Sequence, residues 1–229
     1  MSVTGGRKPP AVFLDLDGTL LDTSYFHTVA WWRALDEAGV GRPMCEIHEL
    51  IGMGSSELLA RLIGDDNNHQ ISKRHGEFFA SFHDSVRALP GADDLIQAIK
   101  DRGGEVVVVT SATERDLGPL LGALKASELI DVVVHGEAAE EAKPSPQPFR
   151  VALERSGRDP SQAIAIGDSV WDVEAAAGAG VGCIGVGTGG IWPLKLEHAG
   201  AVGVYESCKD LLEHWDTSAL GDLVGPLIK

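Results

Sequence analysis

Four short stretches of this 229-residue chain set acid, hydroxyl and amine side chains beside apolar runs. The first is Asp15-Leu16-Asp17-Gly18-Thr19. The second is Thr110-Ser111, the third Lys143-Pro144, and the fourth Gly167-Asp168-Ser169 with Asp172 four residues past Asp168. Carboxylates gathered in one place cannot all be ionised without a cation among them. An all-oxygen donor set suits Mg²⁺, which binds through one or two carboxylates, carbonyls and waters. Such a metal, with Lys143, would neutralise an incoming phosphate. Phosphoryl transfer asks mainly for positioning and charge stabilisation, and a carboxylate is a competent nucleophile for it.

The overall charge sharpens the need for that local cation. There are 34 Asp and Glu against 19 Lys and Arg, a formal net charge of −15. A surface of this kind disfavours nucleic acid and anionic membrane, which require basic patches. It also repels a phosphorylated substrate at long range, so an anion must be met by a metal or a placed Lys or Arg.

The elements that carry these residues are short β-rich runs: AVFLDL from Ala11, EVVVVT from Glu105, IDVVV from Ile130, AIAIG from Ala163 and VGCIGV from Val181. They are nearly continuous apolar runs, as expected of parallel strands covered on both faces. Helical patterns separate the later ones. Leu95, Ile96 and Ile99 share a face that stops at Gly103; Leu117, Leu120, Leu121 and Leu124 fall at helical spacing. Pro148 opens a helix stopped at Gly157, and Val173, Ala176 and Ala177 form a stripe ending at Gly178. This alternation predicts an α/β fold with a doubly wound parallel sheet. In such a sheet, ligands bind beyond the carboxyl ends of the strands, and each of the four stretches follows a strand or a connection at that edge.

One region breaks the alternation. Between Asp22 and Leu89 no strand is evident. Phe26, Val29, Ala30 and Ala34 make a helical stripe, and helices are expected over Ser55–Ile63 and Gln70–Val86, with Pro90-Gly91 marking the return. An all-helical block of about 65 residues is large enough to be a small domain. The expected division is a core of residues 1–21 and 90–229 and a helical cap of residues 22–89. Met1–Pro10 reads as a frayed tail rather than a signal peptide, because no apolar stretch follows Arg7 and Lys8. No apolar run is long enough to span a membrane. A cytoplasmic protein is expected. Cys45, Cys183 and Cys208 are far apart, fit neither a disulfide framework nor a zinc site, and are read as structural.

In order and separation, DLDGTL at Asp15–Leu20, Thr110-Ser111, Lys143-Pro144 and GDSVWD at Gly167–Asp172 resemble the four motifs of the haloacid dehalogenase superfamily. The resemblance extends from Ala11 to about Leu212, and the helical insertion resembles that superfamily's small helical cap. It implies that Asp15 is the nucleophile and that Asp17 protonates the leaving oxygen, then activates the hydrolytic water. It implies that Thr110 bonds the phosphoryl group and that Lys143 balances its charge and that of Asp15. It further implies that Mg²⁺ is held by Asp15, the Asp17 backbone carbonyl and Asp168, with Asp172 on a coordinated water or behind the ligands. Gly18 would let the chain turn sharply beside the phosphate.

Within the superfamily, Asp17 separates the branches. A phosphate ester's leaving alkoxide needs a proton; dehalogenases lack an Asp there and phosphonatases carry a small residue. The chain thus resembles a phosphatase of the phosphoglycolate phosphatase-like group or a β-phosphoglucomutase-like enzyme, monomeric or homodimeric, acting on a small phosphorylated metabolite through an aspartyl-phosphate. Thr23 and His27 match positions used by the mutases. Ser55, in the loop Gly52-Met53-Gly54-Ser55, stands where mutases place an Arg for a second phosphate; neutral Ser55 is a poor substitute, and Arg74 is the candidate to compensate. Ser111 is the alternative to Thr110 if the register slips by one. A phosphate-binding regulatory protein without catalysis is the third reading, opposed by the intact set of motif residues.

Overall fold

A computed structural model of the protein describes residues 8–64 and 68–227. Strand β1 (Ala11–Leu14) is followed by a helical insertion: α1 (Ser24–Glu37), α2 (Met44–His48), α3 (Ser55–Ile63) and α4 (His69–Ala80), ending in a 3₁₀ turn at His83–Ser85. The chain enters and leaves the insertion through neighbouring segments. Leu21 bridges Ala88 in antiparallel sense, the Asp22 amide donates to Arg87 O at 3.0 Å, and the Leu89 amide to Leu20 O at 2.9 Å. This is the inserted helical cap.

The remaining elements alternate: α5 (Ala92–Asp101), β2 (Glu105–Val109), α6 (Glu114–Gly122), β3 (Val132–Val134), α7 (Gln147–Ser156), β4 (Ala163–Gly167), α8 (Val170–Gly178), β5 (Gly182–Val186), α9 (Pro193–Ala199), β6 (Gly203–Tyr205), α10 (Cys208–Glu213) and α11 (Ala219–Val224). Among the described residues the six strands are parallel and lie in the order β3-β2-β1-β4-β5-β6. The winding reverses at β1, which is the central crevice of a doubly wound sheet. Alternate strand residues face opposite layers, as the pleat dictates. Val12, Leu14, Val106, Val108, Ile164 and Ile166 pack with Leu95, Ile99, Leu120, Leu211 and Trp215 on one side. Phe13, Val107, Val109 and Ala165 pack with Phe149, Ala152, Val173 and Leu196 on the other.

Two of the expected strands end before their apolar runs do. β1 stops at Leu14 and β2 at Val109. Leu14 is level with Val108 and Ile166 in its neighbours, so Asp15, Thr110 and Asp168 emerge together at one edge. The expectations missed β6, a three-residue edge strand containing Gly203, and the short helices α2 and α9 to α11. None of these carries enough periodicity to register.

The frayed-tail reading of Met1–Pro10 covers residues 1–7, which lie outside the described residues, and is corrected for the rest. Lys8 Nζ donates to Gly157 O at 3.1 Å, Arg158 donates to Pro9 O, and the Glu105 amide donates to Pro10 O at 2.9 Å. Cys183 and Cys208 are buried free thiols; Cys45 is corrected from a structural residue to an exposed one. Among the described residues no helix is long and apolar enough to cross a membrane.

Candidate active site

The chain leaves β1 in a tight turn. The Gly18 amide donates to Leu21 O at 2.8 Å, and Leu20 and Leu21 both donate back to Leu16 O. Gly18 sits at φ 84°, and a Cβ there would collide with Ser24 Oγ and the Asp168 carboxylate. A side chain is therefore excluded both by conformation and by space.

Beneath this turn lies a buried cluster of charge. Carboxylate oxygens of Asp15, Asp168 and Asp172 lie within 4.8 Å of one another. Lys143, 1% exposed, directs its ammonium to Asp15 Oδ1 (2.5 Å), Asp172 Oδ1 (2.6 Å) and Val109 O (2.9 Å). Those bonds use all three of its N–H donors. Burial pulls the Lys143 value down, but Asp15 and Asp172 outweigh it and hold the ammonium above its ordinary value. Asp172 is occupied on both oxygens, since Oδ2 accepts from the Ser169 amide (3.1 Å) and hydroxyl (2.6 Å) in a capping box that opens α8. Asp168 Oδ1 accepts from Thr19 Oγ1 at 2.7 Å. Burial, relieved in part by Lys143, raises Asp15 to about 8. Burial, with Asp15 and Asp172 beside it, pushes Asp168 well above the carboxylate range. Three buried carboxylates with one ammonium leave an uncompensated all-oxygen site, which fits a hard divalent cation.

Asp17 turns the other way, toward the cap. Its Oδ1 accepts from Thr23 Oγ1 (2.7 Å) and faces His27 Nε2 at 3.2 Å; its Oδ2 is 3.4 Å from Thr110 Oγ1. Burial pushes Asp17 up, but His27 and then Thr23 outweigh it and hold the carboxyl below its ordinary value. Thr110 is buried, and its hydroxyl accepts from the Ala112 amide at 3.0 Å. Ser111 bonds the cap instead, donating to Gly52 O at 3.2 Å.

Above Asp15 and Asp17 is a cavity of about 310 Å³. The core contributes Ser111, Thr113, Arg115 and Asp116 to its walls; the cap contributes His27, Trp31, Met53, Ser55, Lys73 and His75. Ser55 thus reaches the site. Arg74 does not, and the expectation that it offsets the missing mutase Arg is corrected. Its guanidinium is paired with Glu37 (2.8 Å) and Glu77 and lies over the Phe78 ring. On α4, Arg74 precedes His75 by one residue, a rotation that turns the two toward different neighbours. The cap is fastened to the core by backbone contacts near the cavity. The Gly54 amide donates to Lys143 O (3.3 Å), Arg115 Nη2 to Gly76 O (2.9 Å), and His48 Nε2 lies 2.9 Å from Gly189 O.

Sequence reasoning passed over His75, Trp31, Arg115 and Thr19. Thr19 stands inside the first motif, and Arg115 follows the second closely. His75 and Trp31 carry only the signal of helical spacing, with His27 four residues before Trp31 and Phe79 four after His75.

The sequence profile of haloacid dehalogenase-like hydrolases matches residues 12–186. A phosphoglycolate phosphatase from Pseudomonas putida is 30% identical over 193 residues, covering 79% of this chain and 70% of that protein. The crystal structure of a hydrolase from Pseudomonas syringae superposes with a TM-score of 0.87 at 31% identity, over 92% of this chain and 99% of that one. CbbY from Rhodobacter sphaeroides, solved in complex with phosphate, superposes at 0.72 with 28% identity, over 89% and 96% of the two chains. This chain belongs to the haloacid dehalogenase-like hydrolase family. Within it the enzyme is a phosphatase, a phosphoric monoester hydrolase.

Proposed function

We propose that the enzyme hydrolyses a small phosphorylated metabolite through an aspartyl-phosphate on Asp15, with Mg²⁺ as cofactor. The observation that carries this reading is the division of labour between the two carboxylates of one turn. Asp15 is bound to the buried ammonium of Lys143, while Asp17 is bound to Thr23 and faces His27. Asp15, the Asp17 backbone carbonyl and Asp168 are the residues that would hold the metal, with Asp172, engaged by Lys143 and Ser169, on a coordinated water or behind them. When bound, Mg²⁺ supplies positive charge against the phosphoryl oxygens and keeps the carboxylates ionised.

In the first step a carboxylate oxygen of Asp15 forms a bond to phosphorus as the bond to the leaving oxygen breaks, and Asp17 gives that oxygen its proton. The negative charge of a phosphate beside Asp17 raises its pKa toward the protonated form this step needs. In the second step the Asp17 carboxylate takes a proton from water, whose oxygen attacks phosphorus and restores Asp15. His27 and Thr23 favour the ionised form of Asp17 that this role needs. Lys143 holds Asp15 in place, and the Thr110 hydroxyl bonds the phosphoryl group. The leaving group occupies the cavity beneath the cap. We read residues 22–89 as that cap and residues 1–21 and 90–229 as the core, a division supported by the paired connections at Leu21 and Ala88.

The test is an acid quench during turnover of a substrate labelled in its phosphoryl group. Wild-type protein is expected to retain label that hydroxylamine releases. Asp15→Asn is expected to retain none and to lose roughly 10³-fold or more in kcat, because an amide is a very poor nucleophile. Turnover of Asp15→Asn at the wild-type rate overturns the mechanism.

A further inference from the structure

We infer that His75, on the cap helix α4, is a positioning residue that aims His27, and through it the carboxyl of Asp17, at the leaving oxygen. This rests on the reading of Asp17 as the acid of the first step. The His27 ring is held at both nitrogens. Nε2 lies 3.2 Å from Asp17 Oδ1, and Nδ1 lies 3.2 Å from His75 Nε2. Its face is stacked on Phe79 with ring centroids 3.7 Å apart and planes 15° from parallel. His75 is itself stacked on Trp31, with centroids 4.0 Å apart and planes at 11°.

The stack alone does not orient His27. Turning the imidazole over about its bond to Cβ keeps the ring plane and the stack, but it replaces nitrogen by carbon on the sides facing Asp17 and His75. The contact with Asp17 favours one of the two orientations, and a hydrogen-bond partner at the second nitrogen reinforces that choice and also sets which nitrogen carries the proton. His75 is that partner. Burial, then His27 and Arg115, push His75 well below its ordinary value, so it stays neutral, with one donor and one acceptor nitrogen. A neutral His75 serves either form of His27: with its Nε2 protonated it donates to Nδ1 of a neutral His27, and with its Nε2 bare it accepts from Nδ1–H of a charged one. In both cases His27 Nε2–H is left to donate to Asp17.

The consequence reaches the reacting centre. Thr23 Oγ1 also holds Asp17 Oδ1, at 2.7 Å. Two anchors on Oδ1 leave Oδ2, on the Thr110 side, to serve the leaving oxygen. His27 and His75 both belong to the cap and Asp17 to the core, so the acid is fully oriented only when the cap is seated.

The experiment compares kcat/KM for wild type, His75→Phe, His75→Gln and Asp17→Asn over phosphate monoesters from p-nitrophenyl phosphate to simple alkyl phosphates. A nitrophenolate departs without a proton and an alkoxide does not, so the slope with leaving-group basicity reads proton donation. His75→Phe keeps a ring against Trp31 and loses the bond. It is expected to fall about tenfold on alkyl phosphates and less than about twofold on p-nitrophenyl phosphate, a part of what an acid contributes. His75→Gln restores a polar group near the Nε2 position and is expected to recover most of the loss. Equal losses on every ester, or no loss with His75→Phe, overturn the inference while leaving Asp17 as the acid if Asp17→Asn shows the steep dependence. An Asp17→Asn variant whose losses ignore the leaving group overturns the acid itself, and the role of His75 with it.

Discussion

Lys143 meets two of the three clustered carboxylates directly, and its burial makes it costly to lose. Its ammonium is bonded to Asp15, Asp172 and a strand carbonyl. Removing one partner of a buried ion pair leaves the other without compensation and costs about 3–5 kcal/mol. Lys143→Met keeps much of the side-chain volume and leaves Asp15 facing Asp172. In protein treated with EDTA, so that no divalent cation replaces the ammonium, Lys143→Met is expected to lose that much stability in denaturant titrations. An unchanged midpoint contradicts the role given to Lys143. Asp15→Asn is the opposite case: it removes a charge that burial already penalises, so that variant is expected to stay folded while losing turnover.

At the scale of elements, the site depends on how α1 meets α4. Each helix presents a histidine and an aromatic ring four residues apart, and the pairs interleave, His27 on Phe79 and Trp31 on His75. The arrangement places a neutral imidazole in the cap interior, and it makes the cap sensitive to acid. The folded value of His75 is depressed below 6.5. As pH falls below 6.5, the unfolded chain takes up a proton that folded His75 refuses. Stability from this group is therefore complete above that pH and is lost as pH falls toward the depressed value, by at most about 1.4 kcal/mol per pH unit. Denaturant midpoints measured from neutral pH down to about pH 5 are expected to fall less steeply for His75→Phe than for wild type. Identical slopes count against a neutral His75.

The whole molecule carries a net charge of −15 and yet serves an anionic substrate. The long-range field opposes that substrate, and salt screens the field over about 10 Å at 0.1 M. The compensation is local: buried Lys143, then Lys73 and Arg115 on the cavity wall, joined in the proposed mechanism by a divalent cation at the carboxylate cluster. Binding to the folded state alone raises global stability, by about 2.7 kcal/mol at a hundredfold excess over Kd. Millimolar MgCl₂ is expected to raise Tm above that in NaCl of equal ionic strength, EDTA to reverse the rise, and Asp168→Asn to blunt it. A Tm that tracks ionic strength alone excludes a specific site at Asp15, Asp168 and Asp172.

The sequence alone determined the sheet and the order of the chemistry. Strand–helix alternation is a local pattern, written in runs such as EVVVV and in helical spacings of Leu and Ile. The carboxyl-end rule then directs whatever follows each strand to one edge, so Asp15, Thr110 and Asp168 were legible as neighbours before any distance was known. Gly18 was legible too, because its turn demands a positive φ. Elements too short to show a period, such as β6 and α2, were not. Tertiary structure alone decided the cap side of the site. A helix displays every side chain to some direction, and its sequence does not say which face meets the core. Arg74 and His75 are adjacent, yet Arg74 is spent on Glu37 and Glu77 while His75 meets His27. That outcome is fixed by the packing of α4 against α1, a contact between residues about 48 apart, for which no local pattern exists.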